Sequence, residues 1–228
     1  MSLTSLIIDN RWVLEVLYAF VISAICMAIV FKTDKLYKIS LHKGIRYFRN
    51  VFFFYGIAFI ARYIFGVLSD SAFEYVLFAK VAFEYFIVMA GFFLLYSLIW
   101  RKFESQKTHY FTSLFNSKVA IFHLMALIIA VLDVLWGAYD FMFYSQIIVF
   151  VFASIISYNN YIKNGKERKF LKFSFLAMIL GLSAWILNLV TEMYLSWSHK
   201  ALFGIGLINI AFFFLFLYGV IKITNSTK

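Results

Sequence analysis

Long, unbroken apolar runs dominate the chain, separated by short stretches in which the charges collect. Seven runs can be marked, at 11–31, 48–69, 72–100, 118–137, 140–162, 170–195 and 199–222. Each is near or above the roughly 20 residues a helix needs to cross about 30 Å of hydrocarbon. Strands of a membrane barrel would alternate over segments of about ten residues, whereas these runs are apolar throughout, so helices are expected. The pattern predicts an all-α polytopic membrane protein, a seven-transmembrane-helix bundle forming a single domain over 1–228. The third and fifth runs exceed the minimum, which implies tilt or extension beyond the bilayer. Proline is absent, so continuous helices are expected rather than the broken ones that transporters often use. Gly181, Gly204 and Gly206 are expected where helices approach closely.

Charge orients the bundle. Of the 21 Lys and Arg residues, 17 fall in the segments 32–49, 101–118 and 159–172 and in the tail, against two, Arg11 and Lys200, at the opposite ends of the runs. Basic segments stay in the cytoplasm, so the N-terminus is expected outside and the C-terminus inside. The opening MSLTSLIIDNRWVLEVLYAF has an aspartate and an arginine before its first run and lacks the basic region and cleavage site of a signal peptide, so that run is expected to be a retained helix. The segment FKTDKLYKISLHKGIRYFRN carries six basic residues with Tyr37, Tyr47 and Phe48 and is expected to be a cytoplasmic loop. It suits anionic lipid headgroups or a cytoplasmic partner, although a loop that only fixes topology needs no more than this.

Lys80 and Glu84 interrupt AKVAFEYFIVMAG, a stretch otherwise too apolar to be anything but buried. Run three enters from outside, so Lys80 lies about two turns below the outer surface and Glu84 one turn deeper, on one helix face. Glu15, Arg62, Asp133 and Glu192 fall at comparable depths in runs one, two, four and six, while Gln146 lies in the outer part of run five and Asn188 shares a face with Glu192. Isolated charges cost roughly 2.5–3.5 kcal/mol at a span centre, so these groups should face the bundle interior or water. Four carboxylates against two cations leave an acidic excess if all meet in one site, which favours protonation, solvation or a cationic guest. Tyr18, Tyr63, Tyr85, Tyr144 and Trp185 would supply amphipathic walls. The competing reading makes the same residues structural ties between helices.

Composition excludes other classes. Hydrophobic residues make up 64% of the chain and charged residues 14%, far from a soluble domain, and no soluble output domain is expected. The net charge of +10 follows membrane topology rather than a nucleic-acid surface, so no nucleic-acid partner is expected. Cys26 is alone and allows no intrachain disulfide. His123 is the one histidine inside a run, which supports neither a haem pair nor a metal site; no cofactor and no metal are expected. Zinc-protease, nucleophile-elbow, phosphate-loop and paired-aspartate motifs are all absent from the sequence. Asn209 reads as an interhelical hydrogen-bond partner. The aromatics, 22% of the chain, read chiefly as lipid-facing bulk, with Trp12, Trp100, Trp136 and Trp197 as interfacial anchors.

Seven helices with an external N-terminus resemble the layout of microbial rhodopsins and of seven-helix sensor modules in bacterial signalling proteins. The rhodopsin resemblance would require a retinal lysine at the centre of the last run; KALFGIGLINIAFFFLFLYGVIK has lysines only at its ends, Lys200 and Lys222. The sensor resemblance extends to helix number and orientation. Three functions stand side by side: a receptor-like, ligand-binding protein taking a small polar or cationic ligand from outside; a small-solute or ion transporter, proton-coupled in one version; and a structural subunit with a membrane or cytoplasmic protein partner. Multi-pass placement in the cytoplasmic membrane is expected, because outer membranes hold barrels.

Overall fold

The computed structural model describes residues 11–62, 73–100, 114, 117–164, 169–194 and 199–226; side chains at 11–15, 73–75, 117, 164, 169–170, 199–203 and 226 fall outside the description. Seven helices account for almost all of them: α1 (Arg11–Ser40), α2 (Lys43–Ile60), α3 (Phe73–Ile99), α4 (Ser117–Trp136), α5 (Asp140–Asn164), α6 (Lys169–Tyr194) and α7 (His199–Ser226). There is no strand among the described residues. The protein is an all-helical membrane bundle, and six of the helices are long and apolar enough to cross a bilayer. The exception is α2, whose first turns carry Lys43, Arg46 and Arg49. Residues 63–69 of the second predicted run lie outside the described residues, as do the side chains of Glu15 and Trp12, all of Tyr63 and Trp197, and most of the segment 101–116.

The largest departure from the sequence pattern is the expected loop at 32–47. Helix α1 runs on to Ser40, two residues turn, and α2 starts at Lys43. Lysines favour helix, no glycine intervenes before Gly44, and Asp34 pairs with Lys38 one turn on at 3.1 Å and with Arg49 across the hairpin. Leu41 makes the turn in the left-handed region, at φ 52°. Trp100 ends buried at 8% exposure, its ring edge-on to His42 at 5.0 Å. The close approach requires glycine at 44, where a Cβ would sit 2.5 Å from the Trp100 indole nitrogen. Trp100 is therefore a packing residue rather than a belt anchor, while Trp136 is 70% exposed as an anchor should be.

Helices α1, α2, α3, α5, α6 and α7 pack in that order into a closed ring, with α1 completing it against α7. Helix α4 lies outside the ring on α3, with a smaller contact to α5. Its outward face presents Ile121, Leu124, Leu127, Ile128, Val131 and Leu135, apolar groups suited to lipid. Helix α3 is the most enclosed span. Lipid tails are as apolar as the side chains, so association rests on packing rather than on a hydrophobic drive. Aromatic rings supply that packing: Phe52, Phe93, Phe150 and Phe216 are fully buried, and Phe52 meets Phe213 and Phe216 edge-on. The expectation that the aromatics are chiefly lipid-facing is corrected here. Gly181 is a point of close contact, because a Cβ there would lie 2.2 Å from Phe150 and 2.9 Å from Phe212, whereas Gly204 has nothing within 4 Å.

Candidate functional site

Helix α4 ends at Trp136 in a left-handed glycine, Gly137 at φ 70°. Gly137 N–H donates to the Val134 carbonyl at 3.2 Å and Ala138 N–H to the Asp133 carbonyl at 3.1 Å, the paired bonds of a Schellman stop. The chain then enters α5 at once, and Tyr139, whose carbonyl accepts the first bond from Phe143 N–H, has no side-chain oxygen placed to cap it. Asp133 does so from the preceding helix. Its Oδ1 accepts from Phe141 N–H at 2.9 Å and its Oδ2 from Met142 N–H at 2.8 Å. A carboxylate on two orphan donors at the positive end of a helix is a favourable arrangement, and it holds a fully buried charge.

Lys80 answers the opposite pole. Its Nζ donates to Ala138 O at 3.0 Å and to Asp133 O at 3.5 Å, carbonyls just past and within the last turn at the negative end of α4, and it lies 4.3 Å over the Tyr139 ring. The contact with Glu84 one turn along α3 is looser, 3.8 Å to Oε1. Glu84 is fully buried, and no N–H or ammonium donor lies within hydrogen-bonding distance of its carboxylate oxygens; the Asp133 carboxyl is its nearest hydrogen-bonding group, through a bond that needs one of the two acids protonated. Asp133 approaches it closely enough to interact, and Arg62 acts on it through charge. Arg62 sits in a widened turn that prolongs α2 and stacks over the Phe83 ring at 4.7 Å.

Tyr139 interacts with every member of this group. Arg62, Glu84, Glu192 and Asp133 all act on it electrostatically, and burial pushes its phenol up, so the hydroxyl stays protonated and able to donate. Five of the residues singled out in the sequence, Arg62, Lys80, Glu84, Asp133 and Glu192, thus act on one residue that was not. Tyr139 gave no signal, because a tyrosine in a three-residue turn looks like an interfacial aromatic.

Gln146 lies deeper on α5, fully buried, its amide bonded through neither oxygen nor nitrogen. It packs against Gly91 of α3, where a Cβ would come within 2.5 Å of the amide oxygen. Asn188 turns back on its own helix, donating to Ala184 O at 2.9 Å. Tyr18 accepts from Asn209 at 3.0 Å and ties α1 to α7. His123 bridges α4 to α3: its Nε2 donates to Leu114 O at 2.9 Å, leaving Nδ1 to accept from the Tyr85 hydroxyl at 2.5 Å. Among the described residues no three His, Cys, Asp or Glu side chains are grouped to hold a metal.

The chain is 25% identical over 226 residues to an uncharacterised protein of Archaeoglobus fulgidus, an alignment covering 91% of each chain. No family model matches the chain. No solved structure matches it either.

Proposed function

We infer that the seven helices form a single domain with its N-terminus outside, and that the protein is a receptor-like, ligand-binding protein of the cytoplasmic membrane. The reading rests on Glu84. Asp133 is committed to the start of α5 and Lys80 to the end of α4, whereas the fully enclosed Glu84 carboxylate accepts no backbone hydrogen bond and meets only the loose Lys80 contact and the Asp133 carboxyl. A buried acceptor left in that condition costs about 1–3 kcal/mol or more, which favours a donor that arrives from elsewhere. Three described carboxylates, Glu84, Asp133 and Glu192, against Lys80 and Arg62 give the site an acidic excess, so its guest is a small cationic or polar donor. Lys80 and Tyr139 are only partly buried and mark the side of entry, at the α4–α5 turn.

The test is a thermal-shift screen of purified protein against inorganic and organic monovalent cations, with Glu84→Gln alongside. A ligand at a hundred times its dissociation constant stabilises the fold by about 2.7 kcal/mol. The wild type should shift. Glu84→Gln should melt no earlier than wild type without ligand, because a neutral amide replaces a buried carboxylate that accepts no backbone hydrogen bond, and should lose the shift. An earlier melting point for Glu84→Gln with no shift for the wild type would instead make Lys80 and Glu84 a structural pair and favour the subunit reading.

A further inference from the structure

Among the described residues, two buried hydroxyls have no hydrogen-bond partner, whereas others are met by a backbone carbonyl. Thr33 donates to Ile29 O at 2.6 Å, Ser97 to Leu94 O at 2.7 Å, Ser145 to Met142 O at 2.8 Å, Ser183 to Ile179 O at 2.9 Å and Thr224 to Val220 O at 2.8 Å. Back-bonding of this kind is the ordinary way an apolar helix accommodates a hydroxyl. Ser154 and Ser157 of α5 are 7% and 4% exposed, and neither makes such a bond or any other. Gln146, on the same helix, has both amide atoms unpartnered. Buried polar groups that the protein leaves unmet are met by water.

These groups lie in sequence along one direction. At 1.5 Å per residue, Gln146 and Ser157 are about 16 Å apart and share a face, with Ser154 beside it, and Ser157 is about 9 Å from Lys163 at the basic end of α5. The large side chain between them, Phe150, is turned toward α6 and α7, against Gly181 and 5.8 Å from the Phe212 ring. The other buried positions along that face are Ala153, which is small, and Val149 at its edge. Glu84 lies at the opposite end of the row, on α3 beside the start of α5.

We propose that a file of water runs along this face of α5 from Glu84 to the basic end of the bundle, and that the protein carries protons across the membrane with Glu84 as the group that is loaded. A hydronium ion in the file gives its proton to a Glu84 carboxylate oxygen and becomes water. Release to water on the other side regenerates the carboxylate, so one positive charge crosses per cycle with no other reactant. The groups facing Glu84 are Lys80 on its own helix, Arg62 after α2, Asp133 from α4 and Tyr139 from the turn into α5, with Asp140 acting on Asp133 and Glu192 on Tyr139. The proposal rests on the reading of Glu84 as uncommitted but requires no ligand other than the proton.

Proteoliposomes holding a pH-sensitive dye, with a potassium gradient and valinomycin to set the potential, measure the flux directly. Wild type should acidify or alkalinise the lumen with the sign of the potential, and Glu84→Gln and Ser157→Leu should each fall to the rate of protein-free vesicles. Thiol labelling gives a readout independent of flux and of how well the leucine variant folds. With Cys26, itself buried, replaced by alanine, Ser154→Cys and Ser157→Cys should react with a small charged methanethiosulfonate, and Ile155→Cys on the exposed apolar face should not. Wild-type flux equal to that of empty vesicles, or thiols at 154 and 157 as inert as at 155, would overturn the water file. Cation binding without flux would leave the ligand-binding reading intact and remove this one; flux without cation binding would do the reverse.

Discussion

Asp133 shows how much a buried carboxylate does before any ligand is considered. Its two oxygens occupy the Phe141 and Met142 amides, and its carbonyl serves both the α4 stop and Lys80. Asp133→Ala should therefore cost about 1–2 kcal/mol, the upper range for loss of a helix cap, seen as a lower melting temperature. Asp133→Asn, which keeps one acceptor oxygen, should lie between the alanine variant and wild type. Lys80→Met should also destabilise, because two carbonyls at the α4 terminus lose a charged donor. Sequence spacing placed Lys80 and Glu84 on one face and put Asp133 at their depth. It could not reveal which groups were committed, since that depends on the tight α4–α5 turn bringing the end of one helix, the start of the next and Lys80 together. Gln146 was legible as an intramembrane amide, but its opposition to Gly91 depends on α3 lying against α5.

Glycine is informative at the scale of the element because its two settings in this bundle differ so sharply. Gly181→Ala would drive a methyl into the Phe150 ring, and overpacking of this kind costs about 1–3 kcal/mol. Gly204→Ala meets nothing within 4 Å and should be neutral or stabilising by about 0.5–1 kcal/mol, as alanine is the better helix former. Chemical denaturation in one detergent compares the two directly, and equal costs would mean that α5, α6 and α7 do not approach as described. Apolar runs located the helices well, since a span is defined by what it excludes. The extension of α1 to Ser40 escaped the same reasoning, because hydropathy reports where a helix leaves lipid and not where it stops; the Asp34 pairs with Lys38 and Arg49 carry it farther.

Orientation is a property of the whole molecule and follows from where its cations lie. In the Cys26→Ala background, Leu41→Cys and Gly137→Cys occupy exposed positions in the α1–α2 and α4–α5 turns. An impermeant thiol reagent added to intact cells should label the cysteine at 137 and spare the one at 41; the opposite pattern would invert the bundle. Helix order around the ring was not legible in the sequence. Runs four and six are similarly apolar, and nothing in their composition distinguishes a helix that closes a ring from one that lies outside it.

The position of α4 outside that ring leaves it, with α6, among the least enclosed spans, and through Asp133 it also reaches the site. Its outer flank faces lipid, while its last turn holds both the start of α5 and the ammonium of Lys80. Any displacement of that last turn would move the cap on α5 and the anchor of Lys80 together. The surroundings of Glu84 are in this way held together by the end of one surface helix.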